Sequence, residues 1–134
     1  MHASCVSHGG RGGLIIGASG SGKSGLALQL IALGATLVAD DRTCLIRDGN
    51  RITARAPAPL TGLIEARGLG ILRAPAADQA DVALVIDMDQ TETARLPGPH
   101  QAEILGQTLP CLRKCGFAHF PAAILLYLQH GRHA

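Results

Sequence analysis

The chain has 134 residues, a net charge of +2, 47% apolar and only 2% aromatic residues, which suits a single domain over residues 1–134 with its own core and little room for further modules. Arginines scattered among acidic and apolar residues form no basic stripe, and with so few aromatic rings to stack on bases, nucleic acid is excluded as a partner. The longest apolar stretch, near Phe120 to Leu128, is far short of a membrane span, and Met1-His2-Ala3-Ser4-Cys5 opens no export signal, so no membrane partner and a cytoplasmic location are expected.

In chain order, residues 2–8 and 13–16 read as two strands joined by Gly9-Gly10-Arg11-Gly12. Gly17-Ala18-Ser19-Gly20-Ser21-Gly22-Lys23-Ser24 follows and matches the phosphate-loop pattern G-x-x-x-x-G-K-[ST] without a mismatch. Leu26, Leu28, Leu30, Ile31 and Leu33 suit a buried helix that Gly34 stops. Thr36 to Ala39 reads as a strand ending in Asp40 and Asp41, and a hairpin over Thr43–Arg47 and Arg51–Arg55 turns at Asp48-Gly49-Asn50. After the prolines Pro57 and Pro59 come Gly62 to Leu72, a buried strand over Asp81–Asp87, a Pro/Gly loop over Arg95–His100 and a terminal helix over Phe120–His130. The whole reads as a strand-rich α/β domain.

Strand, glycine loop and helix in this order make a phosphate cradle: glycines let successive N–H groups turn inward and the helix aims its positive end there. Lys23 would neutralise β- and γ-phosphate oxygens, and Ser24 would offer its hydroxyl to Mg²⁺. The expected ligand is a nucleoside triphosphate. Phosphoryl transfer further needs a metal carboxylate, a base and neutralising charge. Asp40 and Asp41 stand at a strand end, and as adjacent residues they point to opposite faces, so one aims at the γ-phosphate while the other faces structure or metal; a polar turn is the plainer alternative. Glu65 beside Arg67 fits a metal ligand and a surface ion pair equally well, whereas Arg95 by pattern alone is better explained as a solvated loop arginine than as a cap over the nucleotide. Cys111, Cys115 and His119 recur every four residues, but three ligands at that spacing match no common zinc pattern, and free thiols are expected for all four cysteines.

GASGSGKS, the LVADD ending at Asp41, and GLIEARGLGIL from Gly62 to Leu72 together resemble the catalytic domain of HPr kinase/phosphorylase, whose signature E-[IA]-R-G-L-G-I the last segment approaches. The resemblance is strongest from His2 to Leu72. It implies a phosphate-loop, PEP-carboxykinase-like kinase domain with a mixed, strand-rich sheet, ATP and Mg²⁺ as cofactors, an HPr-like phosphocarrier protein as substrate, regulation of the phosphotransferase system, and a homo-oligomer, hexameric in the family. By the same resemblance His2 stands at the active-site histidine, Lys23 at the catalytic lysine and Ser24 at the Mg²⁺ ligand. Asp41 stands at the aspartate that serves as base in kinase and acid in phosphorylase chemistry, Glu65 at the second Mg²⁺ ligand, and Arg95 at the arginine of D-R-L-G. The family's N-terminal domain has no counterpart in these residues and the stretch between Ile71 and Asp81 looks shortened, as in a compact α-proteobacterial form. The P-V-x-P-G-R loop associated with phosphoserine removal is matched only by a degenerate Leu112-Arg113-Lys114-Cys115-Gly116-Phe117, so kinase activity is implied more strongly than phosphorylase activity. A small-molecule kinase and a nucleotide-sensing module without phosphotransfer are the alternatives.

Overall fold

The first hairpin sets up everything that follows. In a computed structural model describing residues 1–134, β1 (Ser4–His8) and β2 (Arg11–Ile16) pair antiparallel. The turn between them is tighter than the glycine run suggests: only Gly9 and Gly10 lie outside the ladder, both at positive φ, as the twist of a two-residue hairpin demands. β2 delivers the chain into the phosphate loop, α1 (Lys23–Ala32) follows, and β3 (Thr36–Ala39) returns antiparallel to the outer edge of β1. β4 (Cys44–Asp48) and β5 (Arg51–Arg55) form the second hairpin. β6 (Leu63–Ala66) and β7 (Gly70–Arg73) make a separate two-stranded sheet. β8 (Ala80–Thr91), β9 (His100–Ile104), β10 (Gln107–Lys114) and α2 (Phe120–His130) complete the chain.

The main sheet has eight strands, with β3-β1-β2-β8-β10-β9 in sequence across it and β5, carrying β4, branching from the start of β8. β2 and β10 both run parallel to β8 and the other pairings are antiparallel, so the sheet is mixed. It is buried on both faces, which explains why the central strands read as continuous apolar runs. Val6, Ile15, Leu37, Leu84 and Ile86 pack with Leu30 of α1 and Ile124 and Leu128 of α2. Their neighbours Cys5, Leu14, Val38 and Val85 point the other way, into a second cluster with Ile52 and Ala54 of β5 and Ile104 of β9. Burial pushes the Cys5 thiol up to about 12, and none of the four cysteines is in a disulfide.

Several elements depart from the sequence reading. β8 runs from Ala80 to Thr91, past the expected Asp81–Asp87, and its extension carries Asp89 to the phosphate loop. Cys111 lies in a strand and His119 at the N-cap of α2, so their four-residue spacing does not line them up. No helix is long and apolar enough to cross a membrane.

Candidate active site

The phosphate loop spans from the end of β2 to the first turn of α1. Gly17 sits at φ 146 and Gly22, the N-cap, at φ 99, and a Cβ on Gly17 would stand 2.7 Å from Ser21 Oγ, so a side chain there would push the loop open. The N-cap has no side-chain partner and the first turn of α1 holds no acidic residue; its free N–H groups and positive dipole end therefore remain available to an anion. Lys23 is buried to 6% exposure, its Nζ donating to Gly17 O at 2.9 Å and Ala18 O at 3.0 Å. The ammonium is thus held on the inner side of the loop. From β8, the Asp89 carboxylate accepts the Ala18 N–H at 2.9 and 3.0 Å, anchoring the loop at its start.

The two successive aspartates separate sharply. Asp40, 8% exposed, is a hub: Oδ1 accepts Ser24 Oγ at 2.7 Å and Ser4 Oγ at 2.9 Å, and Oδ2 accepts the Glu65 N–H at 3.0 Å. One carboxylate therefore ties β1, α1 and β6 together. Asp41 turns the other way at φ 65, a left-handed conformation that aspartate tolerates better than most residues but still at a cost. Its side chain is 61% exposed, with Oδ1 at 3.4 Å from His2 Nε2. Backbone bonds from Ala3 N to Asp41 O and from Thr43 N to Met1 O hold the segment around His2 against this turn.

His2, Lys23, Ser24, Asp41, Glu65 and Arg67 share one open pocket of about 370 Å³ with Gly20 and Gly22 of the loop. Leu28 is its sole apolar lining residue, so the walls suit a polyphosphate and provide no aromatic sandwich for a base. Glu65 and Arg67 do not pair; the ion pairs are His2–Asp41, Arg51–Asp81 and His100–Glu92. Arg67 instead joins the pocket, which the ion-pair reading of the sequence did not anticipate, and Asp89 and Ser4 were not singled out at all. Arg95 is placed elsewhere. It lines a separate cavity of about 650 Å³ beside Glu92, Leu96, Cys111 and Phe117, in a loop fixed by Glu92 and His100.

The donor set fits Mg²⁺. Ser24 supplies a hydroxyl and Glu65 and Asp41 supply carboxylates to the same pocket, all hard oxygen donors. Mg²⁺ takes one or two protein groups and completes its shell with waters and phosphates. Asp40, with three donors already on its oxygens, is better suited to orient the ligands than to be one.

Comparison with known proteins agrees with this geometry. The family model described as the HPr Serine kinase C-terminal domain matches residues 1–96. The HPr kinase/phosphorylase of Mycoplasmopsis pulmonis is 43% identical over 72 residues, covering 54% of this chain and 23% of the relative. That of Malacoplasma penetrans is 31% identical over 116 residues, 81% of this chain and 37% of the relative. The chain thus spans between about a quarter and two fifths of these relatives. Among solved structures, the HPr(Ser) kinase/phosphatase from Coxiella burnetii superposes with a TM-score of 0.78 at 26% identity, over 96% of this chain and 93% of that one. With the mixed α/β sheet, the phosphate loop and the paired aspartates on one side and these likenesses on the other, the chain belongs to the HPr serine kinase C-terminal domain family.

Proposed function

We propose that the protein is an ATP- and Mg²⁺-dependent kinase that phosphorylates a serine of an HPr-like phosphocarrier protein and so acts in regulating the phosphotransferase system. The observation that carries this reading is that one pocket is lined both by phosphate-holding elements, the glycine loop and Lys23, and by an exposed carboxylate, Asp41, that lies beside His2.

In this reading the loop amides and the α1 N-terminus bind the β- and γ-phosphates, and Lys23 shifts its donors from the loop carbonyls to phosphate oxygens. Ser24 and Glu65 would hold Mg²⁺, which would supply positive charge to neutralise the β- and γ-phosphates. Asp41 accepts the proton of the incoming serine hydroxyl as the oxygen bonds to the γ-phosphorus and ADP departs, and His2 orients the Asp41 carboxylate. Arg67 is the guanidinium already in the pocket for charge that develops on the transferred group. Arg95 serves as a cap only if its loop swings over from the neighbouring cavity. In reverse, a protonated Asp41 would return the proton to the serine oxygen as inorganic phosphate attacks phosphoserine, giving pyrophosphate. Positioning and electrostatics supply most of the acceleration, because phosphoryl transfer asks little covalent chemistry of the protein.

The test is Asp41→Asn with purified HPr and labelled ATP. Transfer is expected to fall by roughly 100-fold or more, the range for loss of a general base, while nucleotide affinity stays near wild type. Full transfer by the variant would remove Asp41 from the mechanism. Light scattering on the same preparation reads the assembly, for which the family resemblance suggests a hexamer.

A further inference from the structure

Ser4 is wholly buried and is not among the residues that line the pocket. Its hydroxyl has one proton and two lone pairs. The proton goes to Asp40 Oδ1 at 2.9 Å, and the oxygen accepts the backbone N–H of Asp41 at 3.3 Å. A single hydroxyl therefore bridges two consecutive aspartates whose side chains face opposite ways. The oxygen it touches on Asp40 is the same one that receives Ser24 Oγ at 2.7 Å.

We propose that Ser4 is a positioning residue that fixes Asp41 in its left-handed turn and couples it, through Asp40 Oδ1, to the Ser24 hydroxyl of the phosphate loop. The proposal rests on the kinase reading for its catalytic consequence but not for its geometry. A residue at φ 65 relaxes toward ordinary backbone unless its peptide groups are over-determined. Asp41 is gripped on both sides: its N–H by Ser4 Oγ and its carbonyl by Ala3 N at 3.1 Å. Both grips come from adjacent residues of the chain entering β1, so the base is hung from the strand paired with β2, which feeds the phosphate loop. The neighbouring peptide is held as well, since Arg42 N donates to Asp40 O at 2.7 Å and Thr43 Oγ1 donates to Ala3 O at 2.8 Å. Removing the Ser4 hydroxyl would free the one contact that links the Asp41 peptide to the carboxylate orienting Ser24. The Asp41 carboxylate would then wander relative to the γ-phosphate, and loss of about an ångström of alignment costs up to roughly 100-fold in rate.

The experiment compares Ser4→Ala and Ser4→Cys with wild type; Cys is nearly the same size and a poor hydrogen-bond partner, and stands in if the alanine variant does not fold. Amide exchange at Asp41, followed by NMR, is expected to quicken at least tenfold in the variants, whether or not the protein transfers phosphate. Unchanged protection at that amide would overturn the proposal. In steady-state assays with HPr, kcat should fall by about 10- to 100-fold with KM for ATP within about twofold of wild type. A kcat near wild type, or equal losses in kcat and ATP affinity, would show that Ser4 does not act through Asp41. A wild-type protein that transfers no phosphate to HPr while the Asp41 amide still loosens in the variants would instead sink the kinase reading and leave the coupling standing.

Discussion

Asp41 is a residue held in a backbone state it would not choose, and that can be weighed separately from its chemistry. At φ 65 a glycine carries no penalty, an asparagine little, and an alanine about 1 kcal/mol or more. Thermal melting should therefore rank Asp41→Gly at or above wild type, Asp41→Asn close to it, and Asp41→Ala below Asp41→Gly by about 1 kcal/mol. All three should lose transfer. Should alanine prove as stable as glycine, the turn is not strained and the argument from conformation fails. The phosphate loop is the part of this site that was legible in sequence, because its geometry is local: eight consecutive residues carry the glycines, the lysine and the serine. Ser4, Asp89 and Arg67 were not, for a physical reason. Asp89 meets Ala18 from 71 residues away, and Ser4 meets Asp40 across 36, through strand pairings that no local pattern announces. Asp40 and Asp41 lie just past the end of β3 rather than within it, so which one turns outward is decided by the left-handed turn at Asp41 and not by strand alternation.

At the scale of elements, the loop that carries Arg95 is secured by one carboxylate. Glu92 Oε2 accepts the N–H groups of Thr93 at 2.9 Å and Ala94 at 3.1 Å, and Oε1 meets His100 Nε2 at 2.8 Å. The Ala94 N–H first, and then the His100 bond, hold the Glu92 carboxyl below its ordinary value of 4.5. A carboxyl lowered in the folded state stabilises above its unfolded value and loses that contribution as the pH falls through the folded one. Protection of the Thr93 and Ala94 amides should accordingly persist at neutral pH and be lost only as acidification carries the Glu92 carboxyl through its lowered folded value, under the ordinary 4.5, and Glu92→Gln should show the loosened pattern already at pH 7. Protection that ignores both changes would mean the loop is held otherwise. The strands that follow this loop were the least legible elements. β9 and β10 turn at Leu105 and Gly106, at φ 50 and 78, a two-residue hairpin written with leucine where asparagine or aspartate would have signalled it. Pro110 argues against a strand, yet it sits one residue before β10 begins to pair with β8 at Cys111, where an absent N–H costs that ladder nothing. β7 was hidden differently, its exposed Ile71 standing opposite Glu65 on the surface face of the β6–β7 hairpin.

For the molecule as a whole, the α2 helix backs the strands that present the phosphate loop without touching the pocket. Leu128 and Ile124 are fully buried in the cluster shared by α1, α2 and the central strands, and Leu128 is so close to β2 that a Cβ on Gly13 would meet its methyl at 3.4 Å. The surroundings therefore explain why two glycines stand in a central strand: Ile86 and Leu128 fill the space a side chain at Gly13 would need, and Asp81 O, Ala80 and Cys5 crowd the position of a side chain at Gly12. Stability and catalysis should separate along this line. Leu128→Ala removes a side chain from a site with little freedom to collapse, at about 2–5 kcal/mol, a large share of the roughly 5–15 kcal/mol that holds a domain folded. At about 3–5 °C per kcal/mol for a domain of this length, melting should drop by roughly 10 °C or more. Below the transition, the pocket groups keep their partners, because Asp40, Ser24, Ser4 and Lys23 are bonded to β1, α1, β6 and the loop itself rather than to α2. Nucleotide affinity and transfer to HPr measured well below the melting point should consequently stay within about threefold of wild type. A loss of affinity in a protein still fully folded would show that α2 tunes the phosphate loop through β2, and the division between the core and the reacting groups would have to be redrawn.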